Sequence, residues 1–147
     1  MIIIYTPEDG EEQQLNAGRL RTSEIQIAER ITGMVWPDIR KGIKDGHVTA
    51  IRAVAWVLLK RTRPSLAFEA FDPFEDEFGV RLDQREVEAY AEIFIVDLSD
   101  KPDELQAAMA ELQEAALDKD HAARTIAGAQ EPGPKAEDAA SPSPTST

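Results

Sequence analysis

Apolar and polar positions follow one another along the chain with a period that changes at recognisable places. Met1-Ile2-Ile3-Ile4-Tyr5 is an apolar run that stops at Pro7-Glu8-Asp9-Gly10, the pattern of a short strand entering a turn. From there helical spacing takes over. Thr22 and Ser23 offer an N-cap with Gln26 placed as in a capping box, and Ile27 and Ile31, with Met34 or Val35, share a face until Gly33, which predicts a helix over 24–32. Pro37 stands at a first helical position ahead of Ile39 and Ile43, and Gly46 ends that second helix after Lys44. Between His47 and Arg61 the chain is apolar nearly all round, from Val48 to Leu59, as expected of a helix covered by its neighbours and stopped by Pro64.

After Pro64 the character changes. Phe68, Phe71, Phe74 and Phe78 are interleaved with Glu69, Asp72, Glu75, Asp76 and Glu77, and Pro73 interrupts any continuous helix, so turns or short helical pieces are expected. Val87, Tyr90, Ala91 and Phe94 predict a helix over 86–96, although Ile93-Phe94-Ile95-Val96 alone would suit a strand equally well. A final amphipathic helix starts at Asp100 to Pro102 and carries Leu105, Ala108, Met109, Leu112, Ala115 and Ala116 on one stripe, with His121 near its fraying end. From Gly128 onward there is no aromatic residue and no Val, Ile or Leu, which reads as a disordered tail. The expected fold is mainly α: a small helical bundle over 1–127 with a short N-terminal strand, followed by a tail over 128–147.

Composition narrows the function classes. The 147 residues carry a formal net charge of −12, no cysteine and two histidines, so disulfide, thiolate and multi-histidine metal chemistry are excluded. The charge is segregated: residues 1–64 hold 10 basic and 8 acidic groups, net +2, whereas 65–147 hold 6 and 20, net −14. An acidic chain is a poor general binder of nucleic acid or of anionic membranes, though the near-neutral first half weakens that argument locally. The start lacks the basic, long apolar pattern of a signal peptide, and Ala53 to Leu59 is far short of the about 20 residues a spanning helix needs; the chain is read as soluble and cytoplasmic.

Catalytic constellations are absent: there is no glycine-rich phosphate loop, no G-x-S-x-G and no H-E-x-x-H, so no enzyme and no cofactor are expected. The acidic run Asp72 to Glu77 does not follow the ligand spacing of a calcium loop. The phenylalanines among these carboxylates have two readings: rings that dock in a basic-rimmed groove of a partner, or rings that cap the domain's own core. Arg52, Lys60, Arg61 and Arg63 form a basic end on the third helix, suited to gripping an acidic partner or to complementing the helix dipole. His47 is read as a cap or surface residue, and Trp36 and Trp56 as core anchors. A DNA-binding reading finds its best recognition helix in the short segment with Arg40, Lys41 and Lys44.

Several of these pieces, taken in order, resemble a known family. Ser23-Glu24-Ile25, Ala28-Glu29-Arg30-Ile31-Thr32-Gly33, Trp36-Pro37-Asp38-Ile39, Asp45-Gly46-His47-Val48-Thr49-Ala50, Val54, Trp56-Val57-Leu58, Lys60-Arg61, Pro64, Leu66, Phe68 and Phe71-Asp72 resemble the tail assembly chaperones of long-tailed phages of actinobacteria, over about residues 19–74. The resemblance implies a small helical protein in the cytoplasm of the infected bacterial host that is neither an enzyme nor a cofactor binder. It would bind the tape measure protein, keep its apolar helices soluble and recruit tail tube subunits; self-association into a homo-oligomer is left open by the residues. In such families a ribosomal frameshift commonly yields a longer second product. The acidic extension over 83–127 lies beyond the resemblance. On this reading Phe68, Phe71, Phe74, Leu105, Met109 and Leu112 line or border the partner-binding surface. The alternatives are a DNA-binding, antitoxin-like regulator and a structural tail or head-completion component of the virion.

Overall fold

The computed structural model describes residues 1–131. In chain order it contains β1 (Ile2–Tyr5), β2 (Gln13–Asn16), α1 (Thr22–Thr32), α2 (Trp36–Lys44), α3 (Val48–Leu59), two single 3₁₀ turns at Phe68–Ala70 and Glu75–Glu77, β3 (Phe78–Arg81), α4 (Gln84–Asp97), α5 (Pro102–Ala115) and α6 (Lys119–Gln130). The fold is mainly helical, as expected, with the N-terminal strand in place. Sequence periodicity missed the other two strands. β1 is the centre of a three-stranded antiparallel sheet in the order β2-β1-β3, with Ile3 opposite Leu15 on one side and Val80 on the other.

The alternation of β1 sorts its side chains. Ile3 and the neighbouring Leu15, Val80 and Phe78 join the first core, where α3 is buried along nearly its whole length, from Ala50 to Leu59 except Arg52. α1 and α2 cover α3 with Ala28, Ile39 and Ile43, each fully buried. At about 1.5–3 kcal/mol for each large aliphatic side chain buried, α3 is the main source of stability in this half. The tight links α1–α2 and α2–α3 turn on Gly33 (φ 68°) and Gly46 (φ 78°), left-handed positions that a side chain would strain.

A second core is built by α4, α5 and α6 from Val87, Ala91, Met109, Leu112, Ala116 and Ala122. Here two expectations are corrected. The final helix does not run on to residue 127. After Ala115 the chain leaves the helix, and Ala116 bridges Leu82 in parallel: the Leu82 N–H donates to the Ala115 carbonyl and the Leu117 N–H to the Leu82 carbonyl, both at 2.9 Å. Asp118 then caps a separate α6 by accepting from the His121 N–H at 2.9 Å. That helix continues through Gly128 to Gln130, so the first residues of the expected tail are helical; residues 132–147 lie outside those described. The start of α1 also differs: Arg21, not Thr22 or Ser23, is the N-cap residue, and Glu24 rather than Gln26 reaches back to accept its N–H at 2.7 Å.

The two cores meet where β3 runs into α4. Asp83 caps α4, exchanging hydrogen bonds of 2.9 Å with Glu86 in a complete capping box, and both carboxylates hold the amino group of Met1. Burial pushes the Asp83 carboxyl up, but the bonds from the Met1 amino group and the α4 backbone outweigh it and leave the group below its ordinary range. Glu24 is held low in the same way, chiefly by the Arg61 side chain. A carboxylate with a lowered folded pKa stabilises the fold above its unfolded pKa, and that stabilisation is lost as pH falls through the carboxylate range. Thermal unfolding should therefore show Tm flat above about pH 5 and falling below about pH 4. Asp83→Ala is expected to remove about 1–2 kcal/mol at neutral pH and to flatten part of this acid slope, as read by urea denaturation at both pH values.

Candidate functional site

The six residues expected to share a partner surface are not brought together. Phe71 is a core residue, 4% exposed, meeting the Tyr5 ring edge to face at 5.4 Å and Phe78 at 6.1 Å. Phe68 is half-buried, edge-on to Trp56 at 5.4 Å. Met109 and Leu112 lie inside the second core, with Leu105 packed against them. Only Phe74, 67% exposed, offers its ring to solvent. The buried members face inward because a partner helix or sheet covers each of them.

The expected basic end of α3 is likewise dispersed into the structure. Arg52 folds back over the phenylalanine segment: its Nε donates to the Phe71 carbonyl at 2.7 Å, its Nη2 to the Phe68 carbonyl at 3.0 Å, and its guanidinium sits 4.1 Å from the centre of the Phe68 ring. Lys60 stands 4.8 Å from the centre of the Trp56 ring, a cation–π contact. Arg61 grips Glu24 with two hydrogen bonds of 2.8 and 2.7 Å, and Arg63 is exposed. These cations fasten the turn-rich segment and α1 to the core rather than presenting one patch. Trp56 is the anchor expected, 7% exposed with its indole N–H donating to the Leu66 carbonyl at 2.9 Å, while Trp36 is half-buried against the same core. On α2, Lys41 pairs with Asp45 at 2.6 Å.

What the structure does offer is an open apolar cleft of about 320 Å³ where the two cores meet. Val80 and Leu82 of β3 and its exit form one wall, Tyr90 and Phe94 of α4 another, and Ala108, Leu112 and Ala115 of α5 the third; Lys44 and Glu111 supply opposite charges. Tyr90 and Phe94 are one helical turn apart and stack at 6.0 Å. The apolar surface does not end there. Ile93 and Val96, 50% and 73% exposed, continue the i, i+3, i+6 ridge that begins at Tyr90, so α4 is apolar both toward its own core and away from it. The all-round apolar run Ile93 to Val96 was the one sequence signal for this surface. The walls from β3 had none, since that strand takes its place only through β1.

His121 Nε2 lies 3.0 Å from Glu88 Oε1, tying α6 to α4, and His47 is exposed. Among the described residues no three or more His, Asp or Glu side chains are grouped to hold a metal ion, and no helix is long and apolar enough to cross a membrane. Comparison of the chain with protein families, with curated proteins and with solved structures gives no match.

Proposed function

We propose that this chain is a tail assembly chaperone of a long-tailed phage, acting by binding and not by catalysis in the cytoplasm of the infected cell. Its clients would be the tape measure protein, whose apolar helices it keeps soluble, and the tail tube subunits it recruits. The observation that best supports this reading is the apolar cleft at Tyr90 and Phe94 with its exposed continuation over Ile93 and Val96. An amphipathic client helix places side chains at i, i+3 or i+4 and i+7 into such a groove. A net charge of −14 over residues 65–147 opposes non-specific clumping of the chaperone and its complexes. The ordered resemblance over residues 19–74 names the client class.

Co-expression with the tape measure protein of the same phage tests the proposal. The client should move from the pellet to the soluble fraction and copurify with this chain, and mass spectrometry of purified virions should miss it. An insoluble client would refute the reading, and a virion-resident chain would favour a structural tail component instead.

A further inference from the structure

The outer side of α4 carries an apolar stripe that no other element covers. Val87 and Ala91 turn one face of the helix into the second core, while Ala89, Ile93 and Val96, all exposed, stand at i, i+4 and i+7 on another. Among the described residues, Ile93 and Val96 are the two large exposed apolar side chains that share a helix.

Carboxylates border this stripe on both sides. Glu92 lies one turn before Val96 and Asp97 one turn after Ile93, and helical geometry puts the two on opposite flanks, each about 40° from its apolar neighbour. The surrounding charge is one-sided: residues 84–116 hold 2 basic and 9 acidic groups, net −7. Glu92, Asp97, Asp100, Asp103 and Glu111 are exposed, and none of the five has an ion-pair partner among the described residues. Arg85, the one cation of α4, sits in its first turn, so the negative end of the helix dipole coincides with the acidic end of the stripe.

We infer that the α4 stripe receives a basic amphipathic helix of a partner protein, one whose apolar side chains are flanked by Lys or Arg. The inference rests on α4 being the client surface and adds which client segments that surface selects. A helix laid along α4 buries its apolar side chains against Ala89, Ile93 and Val96 while its flanking cations reach Glu92 and Asp97. Burial supplies affinity; the carboxylates choose the partner and draw its cations toward the Val96 end. The same carboxylates repel nucleic acid, an anionic lipid surface and the α4 face of a second copy.

Fluorescence anisotropy of the full chain with two labelled synthetic peptides tests this. Both form helices of about 18 residues with one leucine stripe; Lys flanks the stripe in one and Glu in the other. At about 0.15 M salt the Lys-flanked peptide should bind at least about ten-fold more tightly than the Glu-flanked one, and the preference should shrink at 1 M salt, where the Debye length is about 3 Å. A scrambled Lys peptide, with the charge but no stripe, should bind at least about ten-fold more weakly than its parent. Glu92→Lys with Asp97→Lys replaces exposed residues, should keep the wild-type circular dichroism, and should reverse the preference. Ile93→Ser with Val96→Ser should weaken both peptides. Equal binding of the two peptides, weakened alike by the serine variant, overturns the charge selection and leaves α4 as the client surface. Binding of neither peptide, or binding that the serine variant does not change, overturns both.

Discussion

Ile93→Asp combined with Val96→Asp is expected to leave the chain folded and to lower the soluble yield of a tape measure client by at least about ten-fold in co-expression. Both side chains are at least half exposed, so their loss removes little from the second core. In a complex the same positions would lie against apolar client surface, and an unpaired carboxylate there forfeits the burial of two aliphatic side chains and adds the cost of desolvating a charge. Ten-fold corresponds to only about 1.4 kcal/mol, well below what those two effects sum to. The readout is the client in the soluble fraction beside the circular dichroism and Tm of the variant. Unchanged client solubility with an unchanged Tm would move the client surface off α4. Phe71→Asp and Met109→Asp are unsuitable probes of the same question, because both residues are under 5% exposed and the substitutions would unfold the cores they belong to.

The largest stability effect should come from Trp56. Trp56→Ala is expected to cost about 3–5 kcal/mol of unfolding free energy, enough to leave the protein partly unfolded at 37 °C given the usual 5–15 kcal/mol total. The indole fills the space between α3 and the phenylalanine segment, meets Phe68 edge to face, donates its N–H to Leu66 and carries Lys60 over its face. Losing it leaves a cavity and frees the Leu66–Phe71 stretch together. Trp56→Phe keeps most of the packing and loses the hydrogen bond, so about 1–2 kcal/mol is expected. Urea denaturation followed by circular dichroism separates the two, and a Trp56→Ala variant within 1 kcal/mol of wild type would show that the phenylalanine segment is not held through α3.

Helix positions were readable because each depends on residues close in sequence. Val48 to Leu59 is so uniformly apolar that no other element fits it, and Gly33 and Gly46 mark turns whose φ only glycine adopts without strain. The strands β2 and β3 were not, since Gln13-Gln14-Leu15-Asn16 and Phe78-Gly79-Val80-Arg81 become strands only beside β1, and the pairing of Ile2 with Arg81 spans most of the described chain. The break after Ala115 has no glycine or proline to announce it. It is imposed by the unpaired edge of Leu82, which takes up Ala115 and Leu117. For the candidate site, Tyr90 and Phe94 were legible as one helix face. That the face borders a cleft was not, because the cleft's other walls come from β3 and α5.

The placement of β1 between β2 and β3 has a consequence for synthesis. The β1–β2 hairpin and α1 to α3 can form as soon as about the first 60 residues have left the ribosome, yet one edge of β1 then stays open until residues 78–81 follow. Meanwhile the nascent chain offers Ile2 to Tyr5 as a strand edge to any neighbour on the same message. The acidic turn Glu8 to Glu12 at one end of that edge works against such encounters, since identical nascent chains repel there. The carboxylates of this one turn thus guard a sheet that is completed late.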